Sequence, residues 1–435
     1  MRAPSFPAFL TAGALQFAAP SGLLVVLIFS IAFAYPAPER ATYGALALAF
    51  LGLSSTIPTL ATATVSGALA DRFDRGALMR GVNVLALLAT ASIAVVLVVA
   101  PGAHLPAPGP AGFYLPTWVV LLYPGWALVT VSSTLFRPAF NSSVTRVVDA
   151  PDLGRANGLI YATAAIVSAA TTLGVGVVLT LGTGLEAVAI PFALFVVTQG
   201  ALVGLAVDLS VRRTRPVRSV LTEAKEGFVY LAQRRELLEI TIAALVLNFF
   251  AAVALVELAL YAATWLGLVQ GIYYGALVAA MTAGGAVGFV LIPRLGFEHR
   301  AGRVLIGLTI AMGASLLALG LVRSIWFALP IAFVYGMIPG MFSTVFLTTI
   351  QATVPDDTMG RVFSADEVGS YALVPVGQFA GGLVTVAIGV QGTYLAAGAA
   401  IALFGLVMAG SFGALRRLRY RTRSAAEPDA TAASG

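Results

Sequence analysis

The sequence predicts an all-α integral membrane protein of twelve transmembrane helices in two parallel six-helix repeats, and three observations predict it. First, 59% of the 435 residues are hydrophobic and only 10% are charged, with a mean hydropathy of +0.95; soluble domains carry about 25% charged residues. Second, apolar windows of about 20 residues, the helix length that crosses bilayer hydrocarbon, can be laid down twelve times. Third, 23 of the 25 Lys and Arg residues fall into alternate gaps between those windows, as happens when short basic loops stay in the cytoplasm.

The windows centre near Val25, Thr56, Ala91, Trp126, Ser168 and Phe195, then near Phe250, Ala280, Met312, Val334, Val376 and Leu403. The gaps assigned to the cytoplasm hold Arg2; Arg72, Arg75 and Arg80; Arg137, Arg146 and Arg155; Arg212 through Arg235 with the single Lys225; Arg294, Arg300 and Arg303; Arg361; and Arg416 through Arg423. Only Arg40 and Arg323 fall on the other side, so both termini are expected in the cytoplasm and the chain in the plasma (inner) membrane. The formal charge of +6 is thereby spread over seven segments rather than gathered on one face, which argues against a nucleic-acid partner. With no cysteine there is neither a disulfide nor a thiolate metal site. One arginine precedes the first apolar stretch and no small-residue cleavage site follows, so no cleaved signal peptide is expected.

The longest polar stretch, Asp208 to Glu239, divides the windows six and six. The expected organisation is an N-terminal half at 1–208, a cytoplasmic linker at 209–239, a C-terminal half at 240–415, and a tail at 416–435 that is first basic and then disordered. In the linker, Val220, Leu221, Ala224, Phe228 and Leu231 recur at helical spacing opposite Glu223, Lys225, Glu226 and Arg234, which predicts an amphipathic helix on the inner membrane surface. Pro101 to Pro116 reads as a turn-dense outer loop. The halves also echo each other: Val147-Val148-Asp149 then Gly154-Arg155 follows the fourth window, and Val354-Pro355-Asp356 then Gly360-Arg361 follows the tenth. Parallel repeats of this kind place a substrate path at their interface.

Between the second and third windows stands Gly67-Ala68-Leu69-Ala70-Asp71-Arg72-Phe73-Asp74-Arg75-Gly76. This resembles the cytoplasmic signature of the major facilitator superfamily, Gly-x-Leu-x-Asp-Arg-x-Gly-Arg-Lys, departing from it at Asp74 and Gly76. Val354-Pro355-Asp356 with Gly360-Arg361-Val362-Phe363-Ser364 further resembles the branch of macrolide-efflux proteins and the enterobactin exporter. The resemblance implies a gate in which Gly67, Asp71, Arg72 and Arg75 meet the start of span eleven, where Arg361 and Asp366 stand. An acid and arginines at helix ends have the charge to pair across two halves; enforcing topology, or capping by Ser364 and Glu367, are the plainer roles. Export members often carry Gly-Pro-x-x-Gly-Gly in span five, where this chain has Ala170 to Gly176. Proton-coupled members often have an arginine inside span four, and none occurs between Leu121 and Phe136.

Charges inside a bilayer are costly and default to functional candidates. Glu257, in the outer third of span seven, is the one good case, a candidate proton carrier or a group held near the interface beside Tyr261. Gln16, Tyr123, Trp126, Asn141, Asn248, Tyr261, Tyr335 and Gln378 are candidates for a mostly apolar substrate pocket, or else plain packing contacts. Gly284, Gly285 and Gly288 in span eight and Gly381 and Gly382 in span eleven read as close helix contacts. The sequence thus predicts a monomeric secondary transporter without cofactor or metal, exporting a small amphipathic or hydrophobic compound against a proton gradient. An uncoupled facilitator or importer is the rival within transport, and a membrane-embedded lipid-handling protein or sensor the rival outside it. No P-loop and no catalytic cluster is present, His104 and His299 lying in opposite loops.

Overall fold

The computed structural model describes residues 5–36, 39–99, 106–108, 114–148, 153–182, 184–205, 209, 220–295, 300–354 and 356–418. Span one is Phe6–Ala32; span two is Ala45–Arg72, entered through a π-helical turn at Arg40–Gly44; and spans three to six are Arg75–Val99, Thr117–Val147, Leu153–Leu181 and Gly184–Val203. Spans seven to ten are Arg235–Val256, Gly271–Leu291, Ala301–Leu321 and Ile325–Thr353. A final helical stretch, Asp356–Ser411, is broken at Gly389, where φ is 73° and ψ 166°. Eleven helices among the described residues are long and apolar enough to cross a membrane, and the break turns the last of them into two passes, spans eleven (356–388) and twelve (390–411). Each expected window centre lies inside its helix. Prolines interrupt several spans, among them Pro20, Pro58, Pro124, Pro138 and Pro339, which membrane helices tolerate because neighbours satisfy the freed carbonyls.

Gly389 sits in a region of backbone space that is essentially reserved for glycine. A Cβ there would meet nothing within 4 Å, so Gly389→Ala isolates the dihedral cost. It is expected to destabilise the protein by about 1–3 kcal/mol, read as a lowered denaturation midpoint in detergent.

The helix pairings repeat with an offset of six. In the first half, span one packs on five, two on four and three on six; in the second, seven packs on eleven, eight on ten and nine on twelve. Small residues make these approaches possible. A Cβ on Gly22 would meet Thr171 of span five, one on Gly284 or Gly288 the carbonyls of Phe333 and Met337 in span ten, and one on Gly313 the backbone of Ala402 in span twelve. Between halves, five packs on eight and two on eleven, and these two contacts exchange under the same offset. The molecule therefore has the pseudo-twofold plan of two parallel repeats.

One local feature differs from the sequence reading. Within the expected outer loop, Pro106–Pro108 pairs antiparallel with Tyr114–Pro116, with Ala107 opposite Leu115. Within the linker the helix spans Val220–Ala232, with Leu231 buried, Phe228 exposed and Arg234 stacked on Tyr230 at 4.6 Å. Residues 210–219 and the tail beyond 418 lie outside the described residues.

Candidate functional site

The two halves touch toward the end that carries the Pro106–Pro116 hairpin. There the backbones of spans five and eight meet at three glycines: a Cβ on Gly176 would stand 2.8 Å from the Gly271 carbonyl, and one on Gly275 would stand 2.7 Å from the Thr172 carbonyl. Thr180 of span five accepts a hydrogen bond of 2.7 Å from the Ile272 N–H, so a residue of one half satisfies an otherwise orphaned donor at the helix start of the other. Spans two and eleven close alongside, where a Cβ on Gly382 would lie 2.8 Å from the Ala45 carbonyl and Phe50 meets Phe379 edge-on at 6.1 Å.

In each of these helices the residues beyond the contact, toward the end where the chain begins and finishes, line a cavity of about 610 Å³. Span two contributes Ser55, Thr56 and Thr59, span five Tyr161 and Ser168, span eight Phe289, and span eleven Val374 and Gln378. Spans one and four complete the wall with Gln16, Phe17 and Pro20, and with Thr130, Ser133, Thr134 and Arg137. The cavity therefore belongs mainly to the first half and meets the second along one side. Several of its hydroxyls are turned to their own helices: Ser55, Thr130, Ser133 and Thr134 donate to carbonyls three or four residues back at 2.8–3.0 Å. They face the lumen as acceptors. Phe17 and Tyr161 stack at 6.4 Å and give the wall an aromatic face.

The expected pocket residues separate into groups. Gln16 and Gln378 line this cavity. Trp126 lines a small void of about 40 Å³ between the halves, with Gln378 shared. Asn248 lines another, of about 80 Å³, against Phe342 and Ser343 within the second half. Tyr123 is engaged in packing, donating to the Ala47 carbonyl at 2.9 Å, and Asn141 is exposed near the end of span four. Tyr261 donates to the Leu319 carbonyl at 2.8 Å and stacks on Tyr394. Tyr335 is buried with its hydroxyl unpartnered.

Glu257 lies where the hydrogen bonding of span seven is interrupted, between Arg235–Val256 and the short helix Leu258–Leu260. It is fully buried, and neither carboxyl oxygen has a hydrogen-bond partner that satisfies ordinary geometry. Thr385 is the polar side chain that comes to it, and Thr385 is itself within 2.9 Å of Thr393. The carboxyl thus occupies a small polar compartment inside the second half, apart from the cavity.

Gly67, Asp71 and Arg72 fall in the last turns of span two, and Arg361 and Asp366 in the first turns of span eleven; their side chains lie outside the described residues. Arg75 is described, and its guanidinium donates to the Ser142 carbonyl at 2.9 Å, tying span three to span four. The two departures from the signature have a local logic. Asp74 accepts the Ala77 N–H at 2.6 Å and so caps span three, and a Cβ on Gly76 would crowd Asp74 and Arg80 at 3.2 and 3.3 Å.

Most of the cavity lining was missed by the sequence reading, which named only Gln16 and Gln378 of it, and the charged residue among those missed is Arg137. Arg137, assigned there to a cytoplasmic gap, stands inside the helix of span four and on the cavity wall. The helix runs for 31 residues, Thr117–Val147, longer than the apolar window that marked it. The unbroken Ser, Thr and apolar pattern on both sides of Arg137 was the available signal.

Residues 47–377 match the family profile described as Major Facilitator Superfamily. No curated protein sequence matches the chain. Among solved structures, similarity extends to a bacterial homolog of the human lysosomal transporter Spinster, inward-facing and unoccupied, with TM-score 0.68, 15% identity, and coverage of 97% of this chain and 100% of that one. A D-xylose–proton symporter matches with TM-score 0.68, 14% identity and coverage of 93% and 96%. A nucleoside transporter matches with TM-score 0.70, 11% identity and coverage of 94% and 99%. At these identities the likeness speaks for the fold.

Proposed function

Because this chain belongs to the Major Facilitator Superfamily, and is thus a transporter of that type, we propose that it works by alternating access between its halves and exports a small amphipathic compound in exchange for protons. The observation that carries this reading is the cavity itself: it lies where the halves meet, and among the described residues the glycine contacts Gly176–Gly271, Gly275–Thr172 and Gly382–Ala45 that join spans five and eight and spans two and eleven lie on one side of it. With the basic loops in the cytoplasm, those contacts close the external path, as in a state loaded from the inside. Both termini are then cytoplasmic and the membrane is the plasma membrane. Gly67, Asp71, Arg72, Arg75, Arg361 and Asp366 form the gate that closes the cytoplasmic end when the halves rock the other way, and the signature and its place at the ends of spans two and eleven support this. Export agrees with the resemblance to the macrolide-efflux branch, and the protein acts as a monomer.

Glu257 is the coupling group in this scheme. A buried carboxyl without a partner is costly, so its retention needs a use, and uptake and release of a proton as access alternates is that use. The test is transport into proteoliposomes under an imposed pH gradient, with labelled lipophilic cations, macrolides, siderophores and organic anions. Accumulation that follows the gradient is expected. Equilibration indifferent to the gradient would replace the antiporter by a facilitator, and absence of flux for every compound would overturn the transport site.

A further inference from the structure

We infer that the cavity selects an anionic amphiphile, a solute with one sulfonate-, carboxylate- or phosphate-like group and an apolar, preferably aromatic body bearing a hydrogen-bond donor. This rests on reading the cavity as the transport site. Arg137 is the single ionised side chain among the described residues that line it. No carboxylate stands within ion-pair distance of Arg137 among the described residues; its guanidinium lies 6.0 Å from the Phe17 ring. A guanidinium stays charged at any physiological pH and has no acceptor, so it cannot carry a proton. A fixed positive charge on a cavity wall repels cationic solutes and favours anions, which it binds through charge-assisted hydrogen bonds.

Gln16 adds an independent observation. It lines the same cavity, is 1% exposed, and both its amide atoms lack a partner. A buried amide left unsatisfied is costly, and the cavity is the place from which a ligand can satisfy it. Its oxygen accepts and its nitrogen donates, while the hydroxyls of Ser55, Thr56, Thr130, Ser133 and Thr134, whose protons are committed to their own helices, only accept. The wall is therefore rich in acceptors for a donor on the ligand body, the Phe17–Tyr161 pair offers a face for an aromatic ring, and Arg137 takes the anion.

Calorimetric binding to the purified full chain in nanodiscs, with no pH gradient, tests this with four probes: hydroxynaphthalene sulfonate, naphthalene sulfonate, naphthyl methanol and naphthylmethylammonium. Hydroxynaphthalene sulfonate should bind most tightly, and the ammonium probe at least about tenfold more weakly. Arg137→Gln should remove the preference for sulfonate over the neutral probe and Arg137→Lys should retain most of it. Gln16→Leu should weaken the hydroxylated sulfonate more than the plain one, a difference that misfolding would not produce. Nanodiscs with and without phosphatidylglycerol separate the two sources of such an anion: competition by that lipid assigns a lipid headgroup, and its absence a dissolved solute. Tighter binding of the ammonium probe, an unchanged preference in Arg137→Gln, or no binding of any sulfonate would overturn the proposal. Because no gradient is present, failure of proton coupling would leave this result standing, and the reverse holds as well.

Discussion

Gly275→Val is expected to lower the transport rate about tenfold or more while leaving each six-helix half folded. The side chain would enter a space already filled by the backbone of span five, where the Thr172 carbonyl and the Cα of Gly176 lie 2.7 and 2.8 Å from a Cβ at this position. Overpacking costs about 1–3 kcal/mol, and here the cost falls only on the state in which spans five and eight touch. A bias of 1–3 kcal/mol shifts a two-state population by about 5–150-fold, so the state closed at the hairpin end is depopulated and the cycle stalls. Thr180→Val removes the hydrogen bond offered to the Ile272 N–H across the same contact, and should shift the population in the same direction by the smaller amount typical of a lost cap, about 0.5–2 kcal/mol. The chain has no cysteine, so Ser55→Cys on the cavity wall serves as a single thiol reporter. Its labelling from the hairpin side should accelerate in Gly275→Val and less so in Thr180→Val. Labelling and transport both at wild-type rates would mean that this contact does not open during the cycle.

The glycines show what a sequence discloses about such a molecule. Gly284 and Gly288 were legible as a close-packing surface from their spacing, and they do meet a helix backbone. Their partner, span ten of the same half, was not legible, because a small residue records that something comes near and not what. Gly382 also reads as a close contact, yet its approach is to Ala45 and Ala49 of the other half, so the proposed rocking would separate this contact and leave that of Gly284 in place. The twelve passes were legible because hydrocarbon thickness imposes a length on each apolar run, and the joined helix at Asp356–Ser411 obeys that length once Gly389 divides it. Polar residues were less readable. Tyr123 and Tyr261 spend their hydroxyls on carbonyls of neighbouring helices, while Gln16 keeps both amide atoms free at the cavity, and nothing in the local sequence separates these fates. Arg137 was read for its side of the membrane alone, and its place on the cavity wall went unseen. The charge rule for loops reports which side a basic residue is on, and it does not report whether the helix that carries the residue turns it toward a cavity.

Glu257→Gln is expected to abolish gradient-driven accumulation in proteoliposomes and to leave the protein folded, and its comparison with Glu257→Leu decides what the carboxyl is for. Both carboxyl oxygens are buried without a hydrogen-bond partner, and an unsatisfied buried polar group costs about 1–3 kcal/mol. Leucine removes that cost at similar volume, so Glu257→Leu should be as stable as the wild type or more so, by up to about the same 1–3 kcal/mol, while transporting no more than Glu257→Gln. Stability gained with coupling lost is the mark of a group retained for function against its folding cost. A purely structural carboxyl would behave oppositely, since both substitutions would lower the denaturation midpoint and the residual transport would still follow the pH gradient. The compartment refines the expectation further. Thr385 approaches the carboxyl and is tied to Thr393 at 2.9 Å, so Thr385→Val should leave coupled transport in place and alter its dependence on external pH, because it changes a neighbour of the titrating group rather than the group itself. Together the two Glu257 variants separate a proton carrier from a packing residue by the sign of the stability change, which transport rates alone do not report.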